Sequence, residues 1–504
     1  MERIRLDMLL ERLEVLSVTG DCKPARYIEG ITSDSREVVK GSLFIAVRGF
    51  ETDGHRFIRE AVDKGAAVVV CEELPGTMQE AVCYVVVRNS RLSMAQIAKR
   101  FYHDISDRLQ IIGVTGTNGK TTTARLMAAM MNDCGIRTGY IGTGLALAGE
   151  ETVPLGKTTP EAEELHRLFF MMAERGCRAV AMEVSSHALV LQRTHGIRFA
   201  GAVFTNLTQD HLDFHQTMED YARAKQTLMG AVVPEGFVVV NADDRWAAFM
   251  AKNRGNARLF CCTVGDKLFG CQEGTEIKAR MIMAGMQRTQ VEVEAGGCIY
   301  ECSFRLPGVY NVMNLLEIFA AGVAMGIRPE QVIGSLAGAS PVEGRMEIIG
   351  DATGDCYAVV DYAHTPDALG KVIAALNDLK LEGSALIVVF GCGGNRDRDK
   401  RSKMGAIASE GADRIIVTSD NPRDENPEDI MDDIVEGVAV PCFLRFVDRA
   451  EAIHCGVNLL KKGDILLVAG KGHETYQESA GVRRYFSDQE VTRAALIARN
   501  AQGK

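Results

Sequence analysis

The chain has 504 residues, a formal net charge of −10 and a sequence pI near 5.6. Its length predicts about three domains of roughly 100 to 200 residues, each with its own core. The acidic balance and the lack of a long lysine/arginine tract argue against nucleic acid as a partner, although local basic loops can still bind an anionic substrate. No stretch approaches 18 uncharged apolar residues, so we expect no membrane insertion.

The 14 cysteines form no Cys-x-x-Cys motif, and no histidine pair stands at zinc-ligand spacing. We therefore expect reduced thiols, packed as small hydrophobic side chains in a cytoplasmic protein. Residues 1–16 mix charges with leucines, which predicts an amphipathic helix and not a signal peptide. We also expect a monomer.

The alternation of short strand and helix patterns in residues 1–107 predicts a small α/β domain that ends in a polar stretch. The expected elements are strands at residues 42–47, 66–70 and 83–87 and helices at residues 55–64 and 93–102.

A glycine-rich segment opens the second domain, for which we predict the bounds 108–340. Residues 113–123 read Gly-Val-Thr-Gly-Thr-Asn-Gly-Lys-Thr-Thr-Thr, between an apolar run and a helical one. A strand that turns into a helix here directs free backbone N–H groups and the positive helix end at one spot, which suits a polyphosphate. Lys120 is then expected to reach the β/γ-phosphates, and Thr121 to offer its hydroxyl to Mg²⁺. The alternative is an ordinary glycine-rich turn, because Val114 stands where the common phosphate-loop pattern has a glycine.

Apolar strands alternate with helices in the rest of this domain, which predicts a mostly parallel sheet. Residues 275–305 alternate as β-strands do, with Gly296-Gly297 as a hairpin turn. Glu183 ends one predicted strand, and residues 206–211 end another with Asp210-His211. A carboxylate and an imidazole at the same sheet edge as Thr121 predict a magnesium site.

The third predicted domain, residues 341–504, alternates strands and helices in a Rossmann-like way. Its strands are expected at residues 356–360, 385–390, 414–418 and 464–469. Unusual polar residues follow each strand: Asp361 and His364, then residues 391–396, 420–423 and 470–474. Because ligands of open parallel sheets bind at the carboxyl edge, these four loops predict a pocket.

Together these motifs resemble the Mur ligases, the ATP-dependent amino-acid-adding enzymes of peptidoglycan synthesis. The matching segments are residues 32–36, 115–121, 158–160, 182–187, 206–213, 221–225, 307–314, 344–347 and 361–366. The loops Asp420-Asn421-Pro422-Arg423 and Gly470-Lys471-Gly472-His473-Glu474 look like those of members that add meso-diaminopimelate to UDP-N-acetylmuramoyl-L-alanyl-D-glutamate.

The resemblance implies a three-domain α/β fold: a UDP-binding domain, a central P-loop ATPase-like domain and a C-terminal ligase domain. It implies ATP and Mg²⁺ as cofactors, and a reaction through an acyl phosphate. By resemblance, the catalytic set is Lys120, Lys225, His211 and Arg345. The implied ATP contacts are Thr115, Gly116, Thr117, Asn118, Gly119, Lys120, Thr121, Asn311 and Arg345. The implied metal ligands are Thr121, Glu183, His211 and Lys225. The implied substrate contacts are Ser35, Thr158, Thr159, Ser185, Arg193, Arg396, Asp420, Asn421, Pro422, Arg423, Gly470 and Glu474.

Lys225 alone reads as a cationic surface residue that would repel Mg²⁺. The resemblance implies instead that it carries CO₂ as a carbamate, an anionic oxygen donor suited to a hard metal. The alternatives are an L-lysine-adding Mur ligase, a folylpolyglutamate-synthetase-like ligase, a generic P-loop NTPase or kinase, and a binding protein that has lost catalysis.

Overall fold

The computed structural model describes residues 3–49, 52–265, 268–350, 356–439 and 443–501. Three large sheets with flanking helices follow one another along the chain, and we call them the N-terminal, central and C-terminal sheets. All three mix parallel and antiparallel pairs, with the parallel strands at their centres. The predicted α/β class is confirmed, whereas the exact domain bounds stay a prediction.

The N-terminal sheet has five strands in the order β2-β7-β6-β5-β4, and a two-stranded β1-β3 pair lies beside it. Its elements are β1 (Ile4–Arg5), α1 (Leu6–Leu10), β2 (Val15–Gly20), β3 (Tyr27–Ile28), β4 (Ile31–Thr32), β5 (Leu43–Ile45), α2 (Ile58–Asp63), β6 (Val68–Cys71), β7 (Cys83–Val87) and α3 (Ser90–Phe101). Strand β6 is buried throughout, as the continuous apolar run predicts for a parallel strand covered on both faces.

The central sheet has eleven strands in the order β11-β10-β9-β12-β8-β13-β14-β15-β16-β17-β18. Its strands are β8 (Gln110–Thr115), β9 (Thr138–Gly142), β10 (Leu145–Ala148), β11 (Glu151–Pro154), β12 (Ala179–Glu183), β13 (Phe199–Phe204), β14 (Val232–Asn241), β15 (Arg258–Thr263), β16 (Thr275–Ala284), β17 (Thr289–Ala295) and β18 (Cys298–Phe304). Its helices are α4 (Lys120–Asp133), α5 (Ala162–Glu174), α6 (Ser186–Val190), α7 (Leu212–His215), α8 (Met218–Gly230), α9 (Ala247–Lys252), α10 (Val309–Ala324) and α11 (Pro329–Gly338). Gly296 and Gly297 both have positive φ and join β17 to β18, which confirms the predicted hairpin.

The C-terminal sheet has six strands in the order β19-β20-β24-β21-β22-β23. Its elements are β19 (Glu347–Gly350), β20 (Tyr357–Asp361), α12 (Pro366–Leu379), β21 (Leu386–Phe390), α13 (Asp399–Gly411), β22 (Arg414–Thr418), α14 (Pro427–Val435), β23 (Phe443–Phe446), α15 (Arg449–Leu459), β24 (Ile465–Ala469), β25 (Tyr476–Ser479), β26 (Val482–Tyr485) and α16 (Asp488–Ala501). Because β20, β24, β21 and β22 are parallel, their carboxyl ends lie along one edge.

Two predictions from the sequence are wrong. The N-terminal helix covers only Leu6–Leu10, because the chain turns after it and enters β2 at Val15. The cysteines are not all free thiols, since disulfides join Cys22 to Cys83 and Cys261 to Cys271. Strand pairing and chain reversal bring these sulfurs together, and spacing along the sequence does not reveal either.

A buried ion pair ties the C-terminal sheet to its last helix. The Arg449 guanidinium donates two hydrogen bonds of 2.7 Å to Asp488, and neither side chain is exposed. The same guanidinium donates to the carbonyls of Ser419 and Ala469, at the ends of β22 and β24. Arg449 therefore fixes the two chain segments from which Asp420 and Gly470 continue.

Replacing Asp488 by alanine should lower the free energy of unfolding of this region by about 3 to 5 kcal/mol, because the buried guanidinium loses its counter-charge. Arg493→Met on the same helix is the control, since the Arg493 side chain is 54% exposed and its contact to Glu347 is 3.9 Å long; that change should cost less than about 1 kcal/mol. Urea unfolding measures both. Equal urea midpoints for the two variants would contradict a stabilising role for the buried Arg449–Asp488 pair.

Candidate active site

The glycine-rich segment is a strand-to-helix loop, as predicted. Strand β8 ends at Thr115 and α4 begins at Lys120. Gly116 has φ +151°, and a Cβ there would lie 1.9 Å from the Thr205 hydroxyl oxygen; Gly119 has φ +85° at the start of the helix. The backbone N–H of Thr117 donates to the Asn206 carbonyl, and that of Asn118 to the Asn206 side chain. Only glycine allows such close contact between the loop and the segment after β13.

Two lysine side chains meet under this loop. The Lys120 ammonium donates to the carbonyls of Gly116 (3.0 Å) and Thr117 (2.8 Å). The Lys225 ammonium, on α8, donates to the same Gly116 carbonyl at 2.7 Å and lies 4.5 Å from the Tyr221 ring centre. Burial lowers the pKa of both lysines, that of Lys225 well below its usual value, and the charge of Lys120 lowers the pKa of Lys225 further. Within the described ranges, neither ammonium is paired with a carboxylate.

Glu183 ends β12, beside β8 in a parallel pair, and its side chain is fully buried. One carboxylate oxygen accepts from the Tyr140 hydroxyl (2.7 Å) and the Thr143 N–H (2.9 Å), and the other from the Thr143 hydroxyl (3.2 Å). These bonds fix the carboxylate at the sheet edge near the loop. Tyr140 and Thr143 carry no motif signal, so the sequence alone did not indicate them.

The four expected metal ligands do not form a ready-made cage. His211, with φ +53°, has a side chain that is 44% exposed. It contacts Asp210 at 3.4 Å and packs edge to face against the His187 ring, with ring centres 4.8 Å apart. Among the described residues, no three histidine, cysteine, aspartate or glutamate side chains are grouped as a metal site. The chemistry of Thr121 and Glu183 still fits Mg²⁺, because both offer hard oxygens and this ion takes few protein ligands beside phosphates.

A second polar cluster lies within the central part of the chain, beside the end of β12. The Thr159 hydroxyl donates to the Glu183 carbonyl and accepts from the Ser185 N–H, while the Thr158 and Thr143 hydroxyls lie 3.1 Å apart. Arg193 donates to the Thr159 carbonyl at 3.0 Å and pairs with Glu161 at 2.9 Å. The structure thus brings Thr158, Thr159, Ser185 and Arg193 together, as predicted.

Ser35 lies apart from that cluster. Its buried hydroxyl donates to Glu60 within the N-terminal part, at 3.0 Å. The hydroxyl of the neighbouring Ser33 donates a hydrogen bond to Glu163, which lies on α5 in the central part of the chain.

Polar side chains meet at the carboxyl edge of the C-terminal sheet, where the sequence predicts a pocket. The Asn421 side chain donates to Glu474 (2.9 Å), and the Lys471 ammonium contacts both Asn421 (3.0 Å) and Glu474 (3.3 Å). A Cβ on Gly470 would lie 2.6 Å from an Asp420 carboxylate oxygen. Burial, and then the Asp420 charge, raise the pKa of Glu474, while Lys471 opposes them. Lys471 belongs to the Gly-Lys-Gly-His-Glu motif, but nothing in the sequence singles it out from its neighbours.

Arg423 lies at the mouth of this pocket with φ +52°. Its N–H donates to Glu478, and its carbonyl accepts from Ala480, so the strained backbone is held from both sides. Its guanidinium donates to the Gly394 carbonyl at 2.7 Å. Pro422 packs against Gly394, where an added Cβ would lie 1.9 Å from the Pro422 carbonyl oxygen. Arg396, in the same loop as Gly394, is exposed.

Polar contacts connect the C-terminal part to the phosphate loop. Arg345 donates to the Thr121 hydroxyl at 3.0 Å, stacks over Tyr362 at 4.5 Å and leaves its buried Nε without a partner in the described part of the chain. Asp367, at the start of α12, accepts from the Asn118 side chain at 2.6 Å and the Thr208 hydroxyl at 3.1 Å. Asp367 was missed because its partners are 249 and 159 residues away.

Asn311 is buried at the start of α10 and reaches the phosphate loop indirectly. Its side chain donates to the Pro307 carbonyl and accepts from Asn314, whose oxygen lies 2.7 Å from where a Cβ on Gly119 would be.

Comparison with known proteins places this site in a family. The sequence matches "Mur ligase middle domain" over residues 114–322, "Mur ligase, glutamate ligase domain" over residues 344–472 and "Mur ligase family, catalytic domain" over residues 27–105. The chain belongs to the Mur ligase family. The predicted family and its ligase chemistry are thereby confirmed.

Several Mur ligases named UDP-N-acetylmuramoyl-L-alanyl-D-glutamate--2,6-diaminopimelate ligase are similar over nearly the whole chain. The one from Chlorobaculum tepidum is 51% identical over 98% of this chain and 97% of its own. The one from Bacteroides fragilis is 39% identical over 97% of this chain and 98% of its own. A solved structure of a ligase of that name has a TM-score of 0.68 at 31% identity, covering 99% of this chain and 100% of its own.

More distant structures share the fold alone. MurF from Acinetobacter baumannii has a TM-score of 0.68 at 18% identity, covering 99% of both chains. Folylpolyglutamate synthase from Thermotoga maritima has a TM-score of 0.56 at 16% identity, covering 75% of this chain and 90% of its own. Across the described ranges, no helix is both long and apolar enough to cross a membrane.

Proposed function

We propose that this Mur ligase adds meso-diaminopimelate to UDP-N-acetylmuramoyl-L-alanyl-D-glutamate in the cytoplasm, with ATP converted to ADP and phosphate. The observation that supports it most directly is the Arg345–Thr121 contact, which joins the phosphate loop to the C-terminal part of the chain, the part that also carries Asn421, Arg423 and Glu474. A ligase needs its amino-acid pocket and its phosphate site to meet at one place. An enzyme that only hydrolyses a nucleotide does not need an amino-acid pocket.

The cations at the loop favour a polyphosphate ligand. Lys120 and the unpartnered Nε of Arg345 both lie at the loop, and in the described residues neither side chain forms an ion pair with a carboxylate. ATP phosphates would supply the missing negative charge. We propose that Gly116, Thr117, Asn118, Gly119 and Lys120 hold the phosphates, that Thr115 ends the strand below them, and that Asn311 supports the loop through Asn314.

The reaction then needs two displacements. A side-chain carboxylate oxygen of D-glutamate attacks the γ-phosphorus, the P–O bond to ADP breaks, and an acyl phosphate forms. The amine of diaminopimelate attacks the acyl carbon, phosphate leaves, and the amine loses its proton as the amide forms. Lys120 and Arg345 stabilise the charge that develops on the phosphoryl oxygens. Bound Mg²⁺, held by Thr121, Glu183, His211 and carbamylated Lys225, would neutralise further phosphate charge.

The surroundings of Lys225 support its carbamylation. The amine is buried, has no carboxylate partner among the described residues, and lies near a second cation, all of which favour the neutral form. A neutral amine attacks CO₂: the N–C bond forms, one C=O electron pair moves to oxygen, and the nitrogen loses a proton. The product is an anionic oxygen donor in place of a cation, which suits a hard metal ion.

Substrate contacts are proposed along the line from the N-terminal part to the C-terminal pocket. Ser35 would bind the UDP part, and Thr158, Thr159, Ser185 and Arg193 would bind the sugar-peptide. Arg423 would bind the far carboxylate of diaminopimelate by two parallel hydrogen bonds, and Glu474 would bind the ammonium beside it. The pocket would be lined by Arg396, Asp420, Asn421, Pro422 and Gly470.

We propose domains at residues 1–107, 108–340 and 341–504. The domains would close on one another by movement at the linkers near residues 105 and 340.

Lys120→Ala should lower ADP formation by about 100-fold to 1,000-fold or more, because the phosphoryl transition state loses a positioned cation. Binding of the UDP-linked substrate, measured by calorimetry, should stay within about threefold, since Ser35 and Arg193 are unchanged. The assay compares ADP release with and without UDP-linked dipeptide and diaminopimelate. Wild-type turnover in this variant would contradict the phosphate-loop assignment.

Lys225→Ala should be nearly inactive, and short carboxylic acids should restore part of the activity by supplying the missing oxygen donor. ¹³C-labelled bicarbonate should give a carbamate NMR signal in the wild-type protein that is absent from the variant. The control is Lys23→Ala, whose side chain is 73% exposed and contacts Asp21 in the N-terminal part of the chain. An unmodified ammonium at Lys225 in a high-resolution map with ATP and Mg²⁺ would refute carbamylation.

Arg423→Ala should lose most diaminopimelate-dependent activity, and Arg423→Lys should not fully restore it, because an ammonium lacks the planar fork. Discrimination against L-lysine in the wild-type enzyme can reach roughly 10⁴-fold in kcat/KM, since L-lysine leaves the pocket's polar groups unpaired. Arg398→Lys is the matched control, because that side chain is 64% exposed. Comparable kcat/KM for L-lysine and meso-diaminopimelate would overturn the assigned role of Arg423.

A further inference from the structure

Lys471 is a buried cation inside the amino-acid pocket. Its side chain is fully inaccessible to solvent, whereas that of its ion-pair partner Glu474 is 18% exposed. Its ammonium donates to the Asn421 amide oxygen at 3.0 Å and to Glu474 Oε2 at 3.3 Å. The Asn421 amide nitrogen donates to the same Glu474 oxygen at 2.9 Å, so three side chains close a triangle.

Lys471 lies behind the two groups it contacts. Glu474 reaches solvent at the pocket, while the lysine reaches none, so Lys471 has no free path to a ligand. The aromatic ring of Tyr476, 5.5 Å from the ammonium, covers it further. Its ammonium must therefore act on other side chains and not on the substrate directly.

We propose that Lys471 is a positioning residue that keeps the Glu474 carboxylate ionised and aimed at the incoming ammonium group of the amino-acid substrate. This inference rests on the proposed function, in which Glu474 binds that ammonium. An ammonium substrate gains little from a neutral carboxylic acid, so the pocket needs a fixed positive charge behind the carboxylate to hold it in the charged form. The same contact orients Asn421.

The other charged and titratable groups around Glu474 are Asp420, Tyr362, Tyr476 and Arg449. Burial and the Asp420 carboxylate both raise the pKa of Glu474. Arg449 is paired with Asp488, which screens its charge, and the two tyrosines are neutral near pH 7. Lys471 is thus the cation in direct contact with Glu474.

The first test compares wild type with Lys471→Met in the complete ligase reaction. At pH 7.5 the KM for meso-diaminopimelate should rise by about tenfold or more, because the charge-assisted bond from the substrate ammonium to Glu474 is weakened. The kcat at saturation should stay within about threefold. The KM rises as pH falls through the pKa of Glu474, and without Lys471 that rise should begin roughly 1 to 3 pH units higher. A merely structural role would change the KM without moving its pH profile.

Arg483→Met is the matched control. Arg483 stacks over the same Tyr476 ring at 4.7 Å, but its side chain is 65% exposed and pairs with Glu478 instead of Glu474. It should leave both the KM and its pH profile unchanged. Lys471→Arg, which keeps the charge, should preserve the pH profile more closely than Lys471→Met does.

A double variant keeps the test decisive if Lys471→Met fails to fold. Glu474→Gln combined with Lys471→Met removes both charges of the pair, so no buried charge is left unpaired. If Lys471 acts through Glu474, the double variant should have the same KM as Glu474→Gln alone, within about twofold. A further tenfold increase, or an unchanged pH profile in Lys471→Met, would overturn the proposal. A wild-type enzyme with no diaminopimelate-dependent ADP formation would instead refute the proposed function.

Discussion

The Lys120 and Lys225 side chains both donate to the Gly116 carbonyl oxygen, and much of the central site depends on how their charge is balanced. Lys225 is buried and Lys120 is half-buried, and within the described residues no carboxylate pairs with either ammonium. Removing unpaired ammonium groups from water is costly, so such an arrangement is stable only when one is neutral or when ligands bring negative charge. A polyphosphate bound at Lys120 would supply negative charge, and carbamylation of Lys225 would remove a positive charge.

The parallel sheets decide where this chemistry occurs. Strands β8, β12 and β13 end at the same edge of the central sheet, and β20, β21, β22 and β24 at one edge of the C-terminal sheet. Loops at such edges carry most of the polar residues discussed above. The Arg449–Asp488 pair fixes the ends of β22 and β24, so the pocket loops start from a rigid base. The sheet therefore determines where the pocket loops start, and the residues of the loops determine which ligand is selected.

Local signals in the sequence predicted local structure well. Strand β22 has the predicted bounds. Thr365-Pro366 and Asn426-Pro427 cap α12 and α14, and a cap with a following proline is a signal that acts over a few residues. Contacts across the chain could not be predicted this way. The disulfides, the bonds of Glu183 to Tyr140 and Thr143, and the Asp367–Asn118 contact all depend on how distant strands pair.

The two contacts described above between the phosphate loop and the C-terminal part are polar. Arg345 donates to Thr121, and Asp367 accepts from Asn118, through single hydrogen bonds that water can replace. A net contribution of about 0.5 to 1.5 kcal/mol for an ordinary hydrogen bond, and about 1.5 to 3 for one to a charged group, means that these two contacts break at modest cost. Substrate entry and product release need them to open, whereas amide formation needs the parts together. Thr121 also illustrates the exchange, since the hydroxyl that now accepts from Arg345 is the one expected to serve the metal. Binding of nucleotide with its metal would therefore redistribute the contacts of Arg345, coupling occupancy of the phosphate loop to the position of the amino-acid pocket.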